Sequence, residues 1–193
     1  IICKASNNFT FETLIEIDNN KLGGPPMSLK FLGQVDSYVY SESESFWYRG
    51  FNNEITHSWI YKPEEINKEK PPLIIRAHSG PTSCFDGALN SEVQFFLSKG
   101  WFVAEANYGG SSGFGRMYRE RLNKEWGVVD VFDCIALAKA LIAQERIDHS
   151  RIVVLGNSAG GLTALTGLYS TKIFSGAICK YPVLDLTEMN NHT

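Results

Sequence analysis

Ser158 stands at the centre of Gly156-Asn157-Ser158-Ala159-Gly160. A serine hydroxyl attacks an acyl carbon only when the chain presents it and a neighbouring base takes its proton. Glycines two places to either side, Gly156 and Gly160, let the backbone bend tightly there without a clashing Cβ. The apolar run Arg151-Ile-Val-Val-Leu155 precedes the string, and a helical pattern from Leu162 to Tyr169 follows it. The order predicts strand, sharp turn, helix, with Ser158 at the turn. Such an elbow exposes the hydroxyl above a sheet and aims the next helix's N-terminus at it. The Ala159 backbone N–H, just after the serine, is then one donor for a developing oxyanion. Gly161 keeps the helix start free of side-chain bulk.

His78-Ser-Gly-Pro81 closes a second apolar run, Leu73-Ile-Ile-Arg-Ala77. A glycine-containing loop after a central strand can supply the other oxyanion donor, and Gly80 is the candidate. His78 and Tyr108 are candidates to line a cleft. Tyr108 belongs to Asn107-Tyr-Gly-Gly-Ser-Ser-Gly-Phe-Gly115, a glycine-rich run with neither a Gly-x-Gly-x-x-Gly nor a Gly-Lys-Ser/Thr string, which argues against a phosphate cradle. Asp130 and Asp133 precede the serine near a helix start, where a carboxylate reads as capping or packing.

The elements that must hold these residues alternate. Ser45–Arg49 and Ile55–Tyr61 flank Gly50-Phe-Asn-Asn53 as a hairpin. After a polar connection ending in Pro71-Pro72 come a strand at Leu73–Ala77 and a helix over Leu89–Lys99, capped by Gly100. A strand at Trp101–Ala104 follows, then a helix over Val128–Ala143 with Val131, Ile135, Ala138 and Ile142 on one face. Strands at Ile152–Leu155 and Phe174–Tyr181 bracket the helix that Ser158 opens. This rhythm predicts a mostly parallel sheet with helices on both faces. Residues 1–40 carry weaker strand signals, such as Thr10–Ile17, with a turn at Asp18-Asn-Asn-Lys21 and a break at Gly23-Gly-Pro-Pro26.

Composition narrows the field. The chain has 193 residues, 44% of them hydrophobic, enough for a domain with a real core. A formal charge of −3, from 18 basic and 21 acidic residues, gives no electrostatic case for nucleic acid or an anionic membrane. No apolar run approaches the ~20 residues that cross a bilayer. Cys3, Cys84, Cys134 and Cys179 form no Cys-x-x-Cys pair and read as reduced, buried thiols rather than metal ligands. The first residue is Ile, so the chain is expected to begin inside a longer polypeptide. The compartment stays open, with the cytoplasm as the default.

Taken together, His78-Ser-Gly-Pro81, Asn107–Arg116, Trp126-Gly-Val-Val-Asp-Val-Phe-Asp-Cys134, Asp148-His-Ser-Arg-Ile152 and Gly156-Asn-Ser-Ala-Gly-Gly161 resemble the prolyl oligopeptidase family of serine peptidases, in its acylaminoacyl-peptidase and dipeptidyl-peptidase-like branch. The resemblance runs over residues 45–187. It implies an α/β-hydrolase fold, here incomplete and preceded by a short β segment from the end of a β-propeller. Residues 1–40 would be that propeller end and its linker, and 41–193 the N-terminal part of a truncated catalytic domain. It implies hydrolysis of short peptides through an acyl-enzyme, with Ser158 as nucleophile and the Gly80 and Ala159 N–H groups as oxyanion hole. No cofactor or metal is implied, and the partners are a short peptide substrate and the remainder of the chain itself. The elbow alone is shared with carboxylesterases and lipases, and with degenerate hydrolases that only bind.

The chain departs from the family in places. Ser79 stands where the family usually has a second glycine, Gly109 where it often has arginine, and His78 where some branches have tyrosine. The family's triad runs serine, aspartate, histidine, with both partners far downstream of the serine. Here Asp185 and His192 are the only Asp and His beyond Ser158. Asp185 closes Tyr181-Pro-Val-Leu-Asp185, which does not match the triad aspartate, and His192 is the penultimate residue of a polar end. The expectation is that the sequence stops before the base and the acid, and that this piece alone is inactive.

Overall fold

The position of residue 158 depends on a sheet built largely from residues that water does not reach. The computed structural model describes residues 2–7, 9, 11–17, 29–31, 41–64 and 69–186. Strands β1 (Ile2–Ala5), β2 (Thr13–Ile17) and β3 (Leu29–Phe31) form a small antiparallel sheet. The expected turn at 18–21 and break at 23–26 lie outside the described residues.

The main sheet has six strands: β4 (Glu44–Arg49), β5 (Ile55–Tyr61), β6 (Leu73–Ala77), β7 (Phe102–Asn107), β8 (Ile152–Asn157) and β9 (Gly176–Lys180). Their spatial order is β4-β5-β7-β6-β8-β9. The β7-β6-β8-β9 run is parallel, and the β4–β5 hairpin adds to it antiparallel. The hairpin turns through a short 3-10 segment, Phe51–Asn53, with Asn52 and Asn53 at positive φ, as asparagine tolerates.

Helices cover both faces, for the reason the alternation predicts. Helix α1 (Ser91–Ser98) buries Val93 and Leu97 against Val103 and Tyr61. Helices α3 (Val129–Ala143) and α4 (Ala159–Ser170) cover the other face, where Leu73, Ile75, Phe102, Ala104, Ile152 and Val154 point. Each fully buried aliphatic side chain there contributes roughly 2 kcal/mol. A short helix, α2 (Arg116–Glu120), precedes α3. Helix α1 starts later than the periodicity suggested because Asn90 caps it, accepting from the Glu92 and Val93 N–H groups at 3.0 and 3.2 Å. Gly100 closes it at φ +77°, as expected. Helix α3 buries more than the stripe read from sequence: Cys134, Leu137 and Leu141 join Val131, Ile135 and Ala138, while Ile142 is only partly buried.

Two buried carboxylates brace this framework. Asp130 accepts from the Gly127 N–H at 2.7 Å and from the Thr163 hydroxyl, tying α3 to α4. Asp133 accepts from the N–H groups of Phe51 and Gly109, each at 2.7 Å, and pairs with Arg121 at 3.1 Å. Cys134 is buried as expected, whereas Cys84 is exposed because it lies in the irregular surface segment between β6 and α1. Among the described residues no helix is long and apolar enough to cross a membrane.

Strand order reverses at β6. The chain passes through α1 to β7 on one side of it, and then through α3 to β8 on the other. In open parallel sheets such a switch point opens a crevice outside the carboxyl ends of the strands. His78–Pro81 leaves β6 there, and Ser158 leaves β8 beside it.

Candidate active site

The pairing of Ala77 with Gly156 brings the β6 and β8 exits side by side. The chain then turns at Ser158, whose backbone sits at φ 53°, ψ −116°. A non-glycine residue there is strained by ~1–3 kcal/mol, and such strain collects at functional sites. The surrounding packing holds it. Ser158 N–H donates to Lys180 O at 3.1 Å, and its carbonyl accepts from Gly161, Leu162 and Val183 N–H groups at 3.0, 3.3 and 3.1 Å. The side chain is partly exposed and makes no capping bond to α4, so the hydroxyl is not spent on the helix.

Gly156 and Gly160 are needed for close approach, not for positive φ. A Cβ on Gly156 would lie 2.0 Å from Gly160 O, and one on Gly160 would lie 2.2 Å from Ala77 O. The second contact clamps the start of α4 onto the end of β6, which brings the elbow to the His78–Pro81 loop. Gly161 is less tight but still closed to a side chain, since a Cβ there would lie 2.8 Å from Pro182.

Gly80 has φ +61°, a left-handed conformation that suits glycine. Ser79 has no positive φ, so a serine is accommodated there without strain. The Gly80 carbonyl accepts from Ser83 N–H at 2.8 Å, which makes the loop a tight turn. Among the described residues, neither the Gly80 nor the Ala159 N–H donates to a carbonyl in the loops and turns. Ala159 is the first residue of α4, where a helix leaves its N–H groups without intrahelical acceptors.

His78 and Tyr108 depart from their expected place. They are 4% and 0% exposed, so they do not line a cleft. They stack on each other at 4.2 Å beneath the loop, and His78 Nε2 lies 2.7 Å from Ser111 Oγ. His78 Nδ1 lies 3.2 Å from both Ser79 O and Gly80 O. Carbonyl oxygens only accept, so these two contacts put the proton on Nδ1, and the Ser111 hydroxyl divides its single proton between Nε2 and the Tyr108 carbonyl, 2.8 Å away. Burial holds His78 down to about 4, so the ring is neutral. The Ser79–Gly80 peptide is planar and trans, so drawing its C=O to the ring turns the Gly80 N–H outward.

Other residues had no sequence signal. Arg121 occupies the space a side chain at 109 would need: a Cβ on Gly109 would lie 2.7 Å from Arg121 Nε. Arg76 pairs with buried Glu105 and with Glu92 of α1, and Glu92 also pairs with Lys180. These ion pairs lie across β6, β7 and β9 and were hidden because each partner comes from a different element.

The described histidines leave the general base unassigned. His78 is committed as above, and buried His57 lies between Ser45 Oγ and Asn107 Nδ2 at 3.0 and 3.1 Å. His149 precedes β8, at the sheet end opposite Ser158, roughly 20 Å of strand away. His192 lies outside the described residues. Asp185 is exposed beyond β9, in the segment that Val183 ties to Ser158.

Comparison with known proteins agrees with this architecture. A solved puromycin hydrolase superposes with a TM-score of 0.87 at 37% identity, over 98% of this chain and 30% of that one. A puromycin-hydrolyzing peptidase of Mycobacterium tuberculosis gives 0.87 at 29% identity, over 100% of this chain and 30% of its own. The acylamino-acid-releasing enzyme of Arabidopsis thaliana is 33% identical over 135 residues, 67% of this chain and 18% of that protein. The chain thus spans less than a third of the length of these relatives. The fold is that of an α/β-hydrolase with a mixed sheet. The profile of the prolyl oligopeptidase family matches residues 88–193, which include the elbow and more than half the chain, and the chain belongs to that family.

Proposed function

We propose that the whole protein is a serine peptidase that cleaves short peptides through an acyl-enzyme on Ser158. The observation that carries this is the strained backbone of Ser158 at a strand–helix elbow, at the reversal point of a parallel sheet. In this reading Ser158 Oγ attacks the scissile carbonyl carbon and its proton passes to a histidine outside the described residues. The carbonyl oxygen becomes an oxyanion held by the Gly80 and Ala159 N–H groups. Collapse expels the amine, which takes the proton back, and water then releases the acyl group from Ser158. Residues 1–40 belong to the end of a preceding β-propeller, and 41–193 to the catalytic domain. The substrate class rests on family membership and on the relatives, among them a puromycin hydrolase variant solved in complex with PGG.

The test is turnover by the full-length protein of an aminoacyl-anilide and of a simple ester. The account expects both to be cleaved, and Ser158→Ala to lower each by at least about 10³-fold, leaving the rate that binding and the oxyanion hole supply. Ester cleavage with no anilide cleavage would contradict a peptidase.

A further inference from the structure

We propose that Asn107 is a positioning residue for the Gly80 N–H, held to that task by His57; the proposal rests on Gly80 serving as an oxyanion donor. The segment from 83 to 90 joins the Gly80 turn to α1 and has no regular structure, so side chains must place it. Its anchor is Phe85. The Phe85 N–H donates to Asn107 Oδ1 at 2.7 Å, and the Phe85 carbonyl accepts from Asn107 Nδ2 at 3.0 Å and from Trp59 Nε1 at 3.1 Å. One buried amide thus grips both polar groups of one loop residue, as a neighbouring strand would. The Phe85 ring in turn packs edge-on against His78 at 5.6 Å, and His78 draws in the Ser79 and Gly80 carbonyls.

The direction of the amide is determined. Phe85 N–H can only donate, so the oxygen of Asn107 faces it. The nitrogen then faces the Phe85 carbonyl and His57 Nδ1, which accepts at 3.1 Å. His57 Nε2–H is left to donate to Ser45 Oγ at 3.0 Å. The imidazole cannot rotate freely, because Trp47, Trp59 and Phe114 crowd it with ring centroids 4.8, 4.9 and 5.0 Å away. A chain of contacts therefore runs Ser45, His57, Asn107, Phe85, His78, Gly80. The segment keeps other ties, Ser112 N–H to Ser83 O at 3.0 Å, Ser43 Oγ to Gly87 O at 3.1 Å and Leu89 N–H to Asn7 O at 2.8 Å, so losing Asn107 loosens it without releasing it.

The experiment uses the full-length protein with Asn107→Ala and with Trp59→Phe, which removes only one donor to Phe85 and leaves an aromatic ring. An aminoacyl-anilide gives kcat and KM, and a peptidyl boronate, a tetrahedral mimic, is compared with the corresponding product peptide. A donor displaced by a fraction of an ångström to 1 Å predicts a kcat loss of about 10- to 100-fold for Asn107→Ala. KM and product affinity stay within about threefold, and boronate affinity falls with kcat, as a transition-state effect requires. Trp59→Phe shows the same pattern on a smaller scale, and decides the matter if Asn107→Ala does not fold. The proposal is overturned if kcat stays within about twofold in the folded variants, or if boronate and product binding weaken equally, the mark of a merely structural loss. A wild-type protein that ignores the boronate overturns the nucleophile reading and this proposal together; a wild-type protein that binds it, beside unchanged variants, overturns this proposal alone.

Discussion

The strained φ of 53° at Ser158 is tolerated because the glycines around it leave no room to relax. Gly160→Ala tests that statement. Its Cβ would meet Ala77 O at 2.2 Å, and that atom belongs to the central strand, which cannot yield. The substitution should cost about 3 kcal/mol or more, seen as a lower denaturation midpoint in the full-length protein. Ser79→Gly, by contrast, should leave kcat within about twofold, because only Gly80 of that pair needs a positive φ. The same attention to space explains Gly109: the guanidinium of Arg121 fills the volume that an arginine at 109 would claim.

At the scale of elements, one buried side chain joins three of them. Asp133 of α3 holds the hairpin turn at Phe51, the loop at Gly109 and the Arg121 guanidinium. Asp133→Ala strands two N–H groups and a cation, and should cost about 3–5 kcal/mol, again by denaturation midpoint. Sequence disclosed that this aspartate was structural, since it stands near a helix start ahead of the serine. It could not disclose the partners, which lie 82 and 24 residues away along the chain. The same limit separates the legible from the illegible elsewhere. Strands and helices around Ser158 could be read because apolar period and glycine placement are local. The packing of β5 against β7, the burial of His78 and Tyr108 and the grip of Asn107 on Phe85 come from pairing between distant segments, which local pattern does not encode.

The whole molecule should respond to acid through its buried imidazoles. Burial holds His57 and His78 each down to about 4, against an ordinary 6.5. Between pH 6.5 and 4 the unfolded chain therefore binds more protons than the native one, and stability falls as pH falls through that window. From pH 7 to 5 the His78 contribution alone is about 2 kcal/mol. Burial also raises the carboxyls of Asp130 and Asp133, which acts in the opposite sense at the acid end. The direct check is the imidazole NMR signal of His78, which should show no titration midpoint above pH 5; a midpoint near 6.5 would mean an open, hydrated ring.

The most direct test of the central claim is covalent. The full-length protein should react with a fluorophosphonate probe, and mass spectrometry of the digest should find the adduct on Ser158 and nowhere on a Ser158→Ala variant. An alanine variant that still takes the label, or an adduct on another residue, would contradict the assignment of Ser158 as the nucleophile.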